Sequence, residues 1–80
     1  MLTRQDLIPW LHDALKKLGG SATIVSVCKH VWENHEPELR QSGDIFYTWQ
    51  YEIRWAAKML RERRIMKSAE LSPKGMWELA

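Results

Sequence analysis

The sequence TWQYEIRWAAKMLR, residues 48–61, decides the fold of this chain. Apolar side chains recur in it at spacings of three or four residues, which predicts a helix with one buried face. The members of that face are Trp49, Ile53, Ala56 and Leu60. The opposite side carries long polar side chains, and the helix is expected to begin between Asp44 and Thr48. This helix is the third of three that the sequence predicts.

The residues after this helix predict a β-hairpin. Ile65 and Met66 suit a short strand, the turn-forming residues 72–75 follow, and residues 76–79 suit a second strand. A helix followed by a hairpin at the end of a small helical domain is typical of a winged helix. The predicted fold class is therefore α+β, a winged helix-turn-helix with three helices and a small antiparallel β-hairpin, the wing, at the C-terminus.

The first helix is predicted to begin near Thr3 or Asp6, with Pro9 in its first turn. Its apolar face recurs at helical spacing and consists of Leu7, Leu11, Ala14, Leu15 and Leu18. Gly19 and Gly20 are expected to end it, because glycine tolerates the positive φ of a helix stop. Residues 21–23 follow and suit a brief strand that pairs with the hairpin.

The second helix is predicted to start after a cap at Ser21 or Thr23. Its proposed apolar face consists of Ile24, Val27, Cys28, Val31 and His35. It is expected to end before Pro37, because a residue that precedes proline avoids the α region. Residues 36–43 are polar and are expected to form a loop, with room for one turn of helix.

The size of the chain predicts one domain, residues 1–80. Its five tryptophans are expected to supply much of a small core. A single cysteine, Cys28, excludes an internal disulfide and fits a reducing, cytoplasmic location. No apolar run reaches the roughly 18 residues of a membrane span, and the first residues lack the apolar stretch of a signal peptide.

Positive charge is concentrated on the third helix and the strand that follows it. The net charge is only +2, but residues 54–67 hold six Lys or Arg against Glu62 alone. This distribution predicts a surface that faces phosphates. An alternative applies to Arg61, Arg63 and Arg64, since cations near a helix C-terminus favour the helix dipole whatever the function.

The polar face of the third helix is the candidate site, and its predicted partner is double-stranded DNA. Gln50 can pair with an adenine edge and Arg54 with a guanine edge in the major groove. Four further residues suit phosphate contacts, which set register rather than sequence choice: Tyr47, Thr48, Tyr51 and Lys58. On the wing, Lys67 and Lys74 are expected to contact the DNA backbone.

Neither metal binding nor catalysis is predicted. Cys28 and His30 are two residues apart on a helix and therefore point to different sides, and no further cysteine completes a zinc site. The carboxylates are scattered and form no pair that would tune a proton donor. The chain is expected to be no enzyme and to hold no cofactor.

Two motifs give the chain a resemblance to a known family. Arg54-Trp55-Ala56, followed by Leu60, matches an R-W-A-x-x-x-L helix, and residues 75–79 match a G-x-W-x-L strand. Together with the first helix and its glycine stop, they resemble the N-terminal domain of Mrr-type restriction endonucleases. The resemblance implies a winged-helix domain that positions an enzyme on DNA, with cleavage in a separate, attached nuclease domain.

Two alternatives stay open at this point. A winged helix can also be a protein–protein interaction module, which exposure of Trp10 or Trp32 would favour. It can equally be a small standalone transcription regulator, which would share the DNA-binding mechanism. The sequence leaves the oligomeric state undetermined.

Overall fold

The computed structural model describes residues 2–80. In them, three α-helices pack around one core beside a two-stranded antiparallel sheet, so the fold is α+β. The helices are α1 (Leu7–Lys17), α2 (Ile24–Arg40) and α3 (Ile45–Glu62), and the strands are β1 (Ser21–Thr23) and β2 (Met76–Glu78). No helix among these residues is both long and apolar enough to cross a membrane.

The first helix matches its prediction at both ends. A 3-10 turn at Arg4–Asp6 leads into α1, and the Asp6 carboxylate accepts a hydrogen bond of 2.8 Å from the Thr3 backbone N–H. At the other end, Gly20 has φ of 92° and donates its N–H to the Leu15 carbonyl at 2.7 Å. The predicted glycine stop is confirmed.

The second helix corrects the sequence-based expectation. Its start is confirmed, since Thr23 caps it by accepting the Ser26 N–H at 3.1 Å. The predicted end before Pro37 is wrong, because helical structure continues to Arg40. The helix bends at His35, whose φ of −133° and ψ of 19° are not helical. Pro37 lies just after this bend, where its missing N–H interrupts little of the hydrogen bonding.

The small sheet joins three parts of the chain. Ala22 of β1 lies opposite Trp77 of β2. On the other edge of β2, Met66 and Leu79 form an isolated bridge, and the Lys67 N–H donates to the Glu78 carbonyl at 2.9 Å. The expected brief strand at residues 21–23 is confirmed. The expected hairpin is confirmed only at its base, where residues 65–67 lie against the chain end.

The segment between those paired residues is not a β-ribbon. Residues 69–71 form a 3-10 turn (Ala69–Leu71), and a further turn is closed by a hydrogen bond of 3.0 Å from the Met76 N–H to the Pro73 carbonyl. We call residues 67–75 the C-terminal loop. It is tied to the start of α2 by a hydrogen bond of 3.0 Å from the Ile24 N–H to the Gly75 carbonyl.

The core is apolar and takes one face from each helix. No polar or charged residue among residues 2–80 is buried in it. Its members on α3 are Trp49, Ile53, Ala56, Ala57 and Leu60, which include the predicted apolar face. Burying one such aliphatic or aromatic side chain contributes about 1.5–3 kcal/mol. Two of the five tryptophans, Trp49 and Trp77, are buried, and the other three are half-buried.

Candidate nucleic-acid interface

Helix α3 has two unlike faces, as its sequence predicts. Its apolar face is in the core, while its other face carries side chains that the rest of the domain leaves in solvent. Tyr47 is 82% exposed and Tyr51 is 76% exposed. The eight residues predicted to contact DNA are all exposed: Tyr47, Thr48, Gln50, Tyr51, Arg54, Lys58, Lys67 and Lys74.

The exposed face of α3 borders an open recess against α2, of about 610 Å³. We call it the α2–α3 recess. Gln50, Tyr51 and Arg54 line it from α3, while Val25 and Lys29 line it from α2. Trp32 and Trp49 also line it, with ring centroids 6.4 Å apart and planes inclined by 9°. The recess therefore combines an aromatic surface with two cations and one amide.

A second recess, of about 380 Å³, separates α3 from the C-terminal loop. We call it the loop recess. Arg54 and Arg61 line it from the helix, and Ser72 and Lys74 line it from the loop. Arg54 also lines the α2–α3 recess. The two recesses therefore adjoin at Arg54, and α2, α3 and the C-terminal loop share one surface there.

The cations of this surface are available to an external anion. Within residues 2–80, neither Arg54 nor Lys58 forms an ion pair. Glu52, two residues before Arg54 on α3, instead faces Arg4 at 3.9 Å, and Glu62, four residues after Lys58, forms no ion pair within residues 2–80. The Arg4 guanidinium also lies over the Trp55 ring, 4.1 Å from its centroid, so the Glu52 carboxylate is held on a different flank of α3.

Cys28 lies beside Arg54 in the α2–α3 recess. Burial raises the pKa of its thiol, and the positive charge of Arg54 acts in the opposite direction but is the smaller effect. The thiol therefore stays protonated at neutral pH and does not neutralise Arg54. It also lacks the low pKa that a nucleophilic cysteine needs.

The predicted site residues do not all converge. Gln50, Tyr51, Arg54 and Lys74 line the two adjoining recesses. Three other predicted residues lie on α3 but do not line either recess: Tyr47, Thr48 and Lys58. The Thr48 hydroxyl donates a hydrogen bond of 3.3 Å to the Asp44 carbonyl. Lys67 lies at the edge of the sheet, where its carbonyl accepts a hydrogen bond of 3.1 Å from Arg61 Nε. Arg61 thus ties α3 to the C-terminal loop.

Sequence reasoning missed the contribution of α2 to this surface. Val25 and Lys29 are four residues apart and therefore share one helical face, opposite the buried Val27 and Val31. That spacing was visible in the sequence. What the sequence did not show is that α3 runs beside this face, because the contact depends on how the two helices cross.

Across residues 2–80, no three or more His, Cys, Asp or Glu side chains are gathered where they could hold a metal ion.

Comparison with known proteins returned no match to this chain, whether with protein-family models, with curated proteins or with solved structures. The resemblance to the N-terminal domain of Mrr-type restriction endonucleases therefore stays a prediction from the two sequence motifs.

Proposed function

We propose that this chain is a winged-helix domain that binds double-stranded DNA, with α3 in the major groove and the C-terminal loop as the wing against the backbone. The observation that carries the proposal is the cationic surface of α3. Arg54 and Lys58 are exposed, and neither has an ionic partner within residues 2–80. Arg54 also lies where the α2–α3 recess meets the loop recess, which brings Lys74 to the same side.

The exposed side chains of α3 support binding to a duplex. An α-helix fills the major groove, and long polar side chains on its outer face reach base edges. Gln50 carries an amide and Arg54 carries a guanidinium, and these are the groups that can pair in two places with adenine and with guanine. Tyr47, Thr48 and Lys58 extend this face and suit phosphate oxygens, which position the helix without reading sequence.

The connectivity supports the winged-helix interpretation. The end of the chain lies between β1 and residues 65–67, and the loop that joins those residues to β2 projects beside α3. A wing has this position relative to a recognition helix. This loop contains a 3-10 turn, Ala69–Leu71, instead of two long strands. In this proposal, Lys67 and Lys74 contact the DNA backbone from a loop and not from a β-ribbon.

The wider role proposed is that of a recognition domain in a restriction-type or related DNA-processing protein, acting in the cytoplasm with an attached nuclease domain or a protein partner. The support is the resemblance of residues 54–60 and 75–79 to Mrr-type N-terminal domains. A small standalone transcription regulator would use the same surface in the same way. The two roles differ in what the domain is joined to, and not in how it binds.

A specific observation favours a second candidate, a protein–protein interaction module. Three of the most exposed large apolar or aromatic side chains lie on α3 and the adjacent end of α2: Val25, Tyr47 and Tyr51. A protein partner would bury such a patch. Exposure of Trp10 or Trp32 would also favour a protein partner, but both side chains are half-buried and stack on neighbouring rings.

The test is fluorescence anisotropy of a labelled mixed-sequence duplex, titrated with the domain at several salt concentrations. DNA binding predicts that the affinity falls steeply with salt, because neutralised phosphates release counterions. A hydrophobic protein interface predicts no duplex binding. Arg54→Ala should weaken binding several-fold, whereas Lys16→Ala removes an equal charge from α1, outside both recesses, and should change it little. Equal losses in both variants would count against a defined site.

A further inference from the structure

We infer that the α2–α3 recess recognises the C5-methyl group of thymine, so that the domain prefers A·T pairs at one position of its site. This inference rests on the proposed function, binding of duplex DNA through α3. It concerns Val25, an apolar residue of α2 that has no part in the DNA contacts proposed for α3.

The first step is the exposure of Val25. Its side chain is 77% exposed, although its helical neighbours Val27 and Val31 are buried in the core. It lies at the rim of the α2–α3 recess together with Gln50, Tyr51 and Arg54. An aliphatic side chain in that position meets whatever occupies the recess, and it can contribute there only through apolar contact.

The second step is the chemistry of the major groove. Its floor presents donors and acceptors almost everywhere, and the thymine C5-methyl is the apolar group among them. Valine can contact that methyl group but can form no hydrogen bond with a base edge through its side chain. On a surface that faces the major groove, thymine is therefore the base that Val25 complements.

The third step is the neighbour of Val25 in the recess. The Gln50 side chain is exposed and makes no hydrogen bond to residues 2–80, so its amide is free to pair with adenine N6 and N7. The partner of that adenine is a thymine, which displays its methyl group on the same groove edge. One A·T pair can thus accept the hydrogen bonds of Gln50 and the apolar contact of Val25. The Tyr51 ring lines the same recess and adds apolar surface beside them.

The experiment compares two duplexes of one mixed sequence, one with thymine and one with uracil in every thymine position. Uracil pairs as thymine does but lacks the methyl group. Burial of one methyl group is worth about 0.8 kcal/mol, so the wild-type domain should bind the thymine duplex about four-fold more tightly. Val25→Ala should bind both duplexes within two-fold of each other. The matched control is Leu71→Ala, since Leu71 is also exposed, at 73%, but lies in the 3-10 turn of the C-terminal loop. It should keep the preference.

The results separate this inference from the function on which it rests. Salt-dependent binding without any thymine preference would overturn methyl recognition and leave duplex binding intact. A thymine preference that survives Val25→Ala would assign the effect to DNA shape or another residue, and would also overturn it. Absence of binding to either duplex would overturn both proposals together. Circular dichroism of each variant verifies that the helices are retained.

Discussion

The rings of Trp10 and His35 stack face to face, with centroids 3.7 Å apart and planes inclined by 6°. Trp10 comes from α1 and His35 from the bend in α2, so the stack joins the two helices where α2 departs from helical geometry. His35 Nδ1 also lies 3.1 Å from a carboxylate oxygen of Glu38. Two contacts therefore hold the imidazole ring at the bend, one on its face and one at its edge.

Glu38→Gln should reduce stability in a pH-dependent way. The hydrogen bond with His35 is the largest of the effects that lower the pKa of Glu38 below its ordinary value of 4.5. A carboxyl group whose pKa is lower in the folded state stabilises the fold above its unfolded pKa, and the stabilisation is lost as pH falls through the folded value. The difference in unfolding free energy between wild type and Glu38→Gln should therefore be present at pH 7 and shrink below about pH 4.5.

Urea unfolding followed by tryptophan fluorescence measures this difference. Glu33→Gln is the matched control, because Glu33 is exposed on the same helix and forms no ion pair within residues 2–80. A Glu38→Gln effect of equal size at pH 3 and pH 7 would contradict the assigned hydrogen bond.

Arg61→Ala should loosen the C-terminal loop. Arg61 Nε donates to the Lys67 carbonyl at 3.1 Å, and this bond holds the loop against the end of α3. Its loss should lower the free energy of unfolding by about 0.5–1 kcal/mol. Amide hydrogen exchange should speed up in residues 67–75. Lys58→Ala, one turn earlier on the exposed face, should leave exchange in the loop unchanged. Equal exchange in both variants would show that Arg61 does not position the loop.

Arg64→Gly should stabilise the domain. Arg64 is the one residue other than glycine with positive φ in residues 2–80, at 61°, and it reverses the chain after α3. Glycine adopts this conformation without steric cost, so the substitution should raise the free energy of unfolding by about 0.5–1 kcal/mol. Arg63→Gly is the control, because Arg63 has φ of −83°, a value that any residue adopts. Glycine relieves no strain there and raises the entropy of the unfolded chain, so this change should lower the free energy of unfolding. Destabilisation by both changes would contradict the assigned backbone conformation.

Ile53→Val should lower stability without altering DNA affinity. Ile53 is fully buried on the inner face of α3, next in sequence to Arg54. Removal of one methylene from a packed core costs about 0.5–1.5 kcal/mol. Thermal unfolding measures the loss, and duplex binding well below the melting temperature should match wild type. A parallel loss of affinity would mean that binding depends on the whole helix and not on its outer side chains.

The helices were predictable because their signals are local. The spacing of Trp49, Ile53 and Leu60 depends only on helical periodicity, and Gly20 ends α1 through its own backbone freedom. The prediction that α2 ends before Pro37 was wrong for a physical reason. Proline disfavours helical geometry in the residues before it, and the chain does bend at His35, but the helix resumes after the bend. The contacts of His35 with Trp10 and Glu38 fit a bent helix that resumes after the bend, and such tertiary contacts are not visible in a sequence pattern.

The candidate site was predictable only in part. Once the apolar face of α3 is identified from its spacing, the residues on the opposite face are known as well. Gln50, Tyr51 and Arg54 could therefore be predicted from the sequence. The recess that Val25 and Lys29 form with them depends on the packing of α2 against α3. The 3-10 turn of the C-terminal loop was missed as well, since residues 69–71 carry no strong turn signal of their own.

The most direct test of DNA binding through α3 is an NMR titration of the isotope-labelled domain with a short mixed-sequence duplex at low salt. Binding as proposed predicts amide shifts clustered in residues 47–58, with smaller shifts in residues 67–74, and their loss as salt rises. The absence of shifts at millimolar duplex, or shifts confined to α1 and the bend in α2, would contradict it.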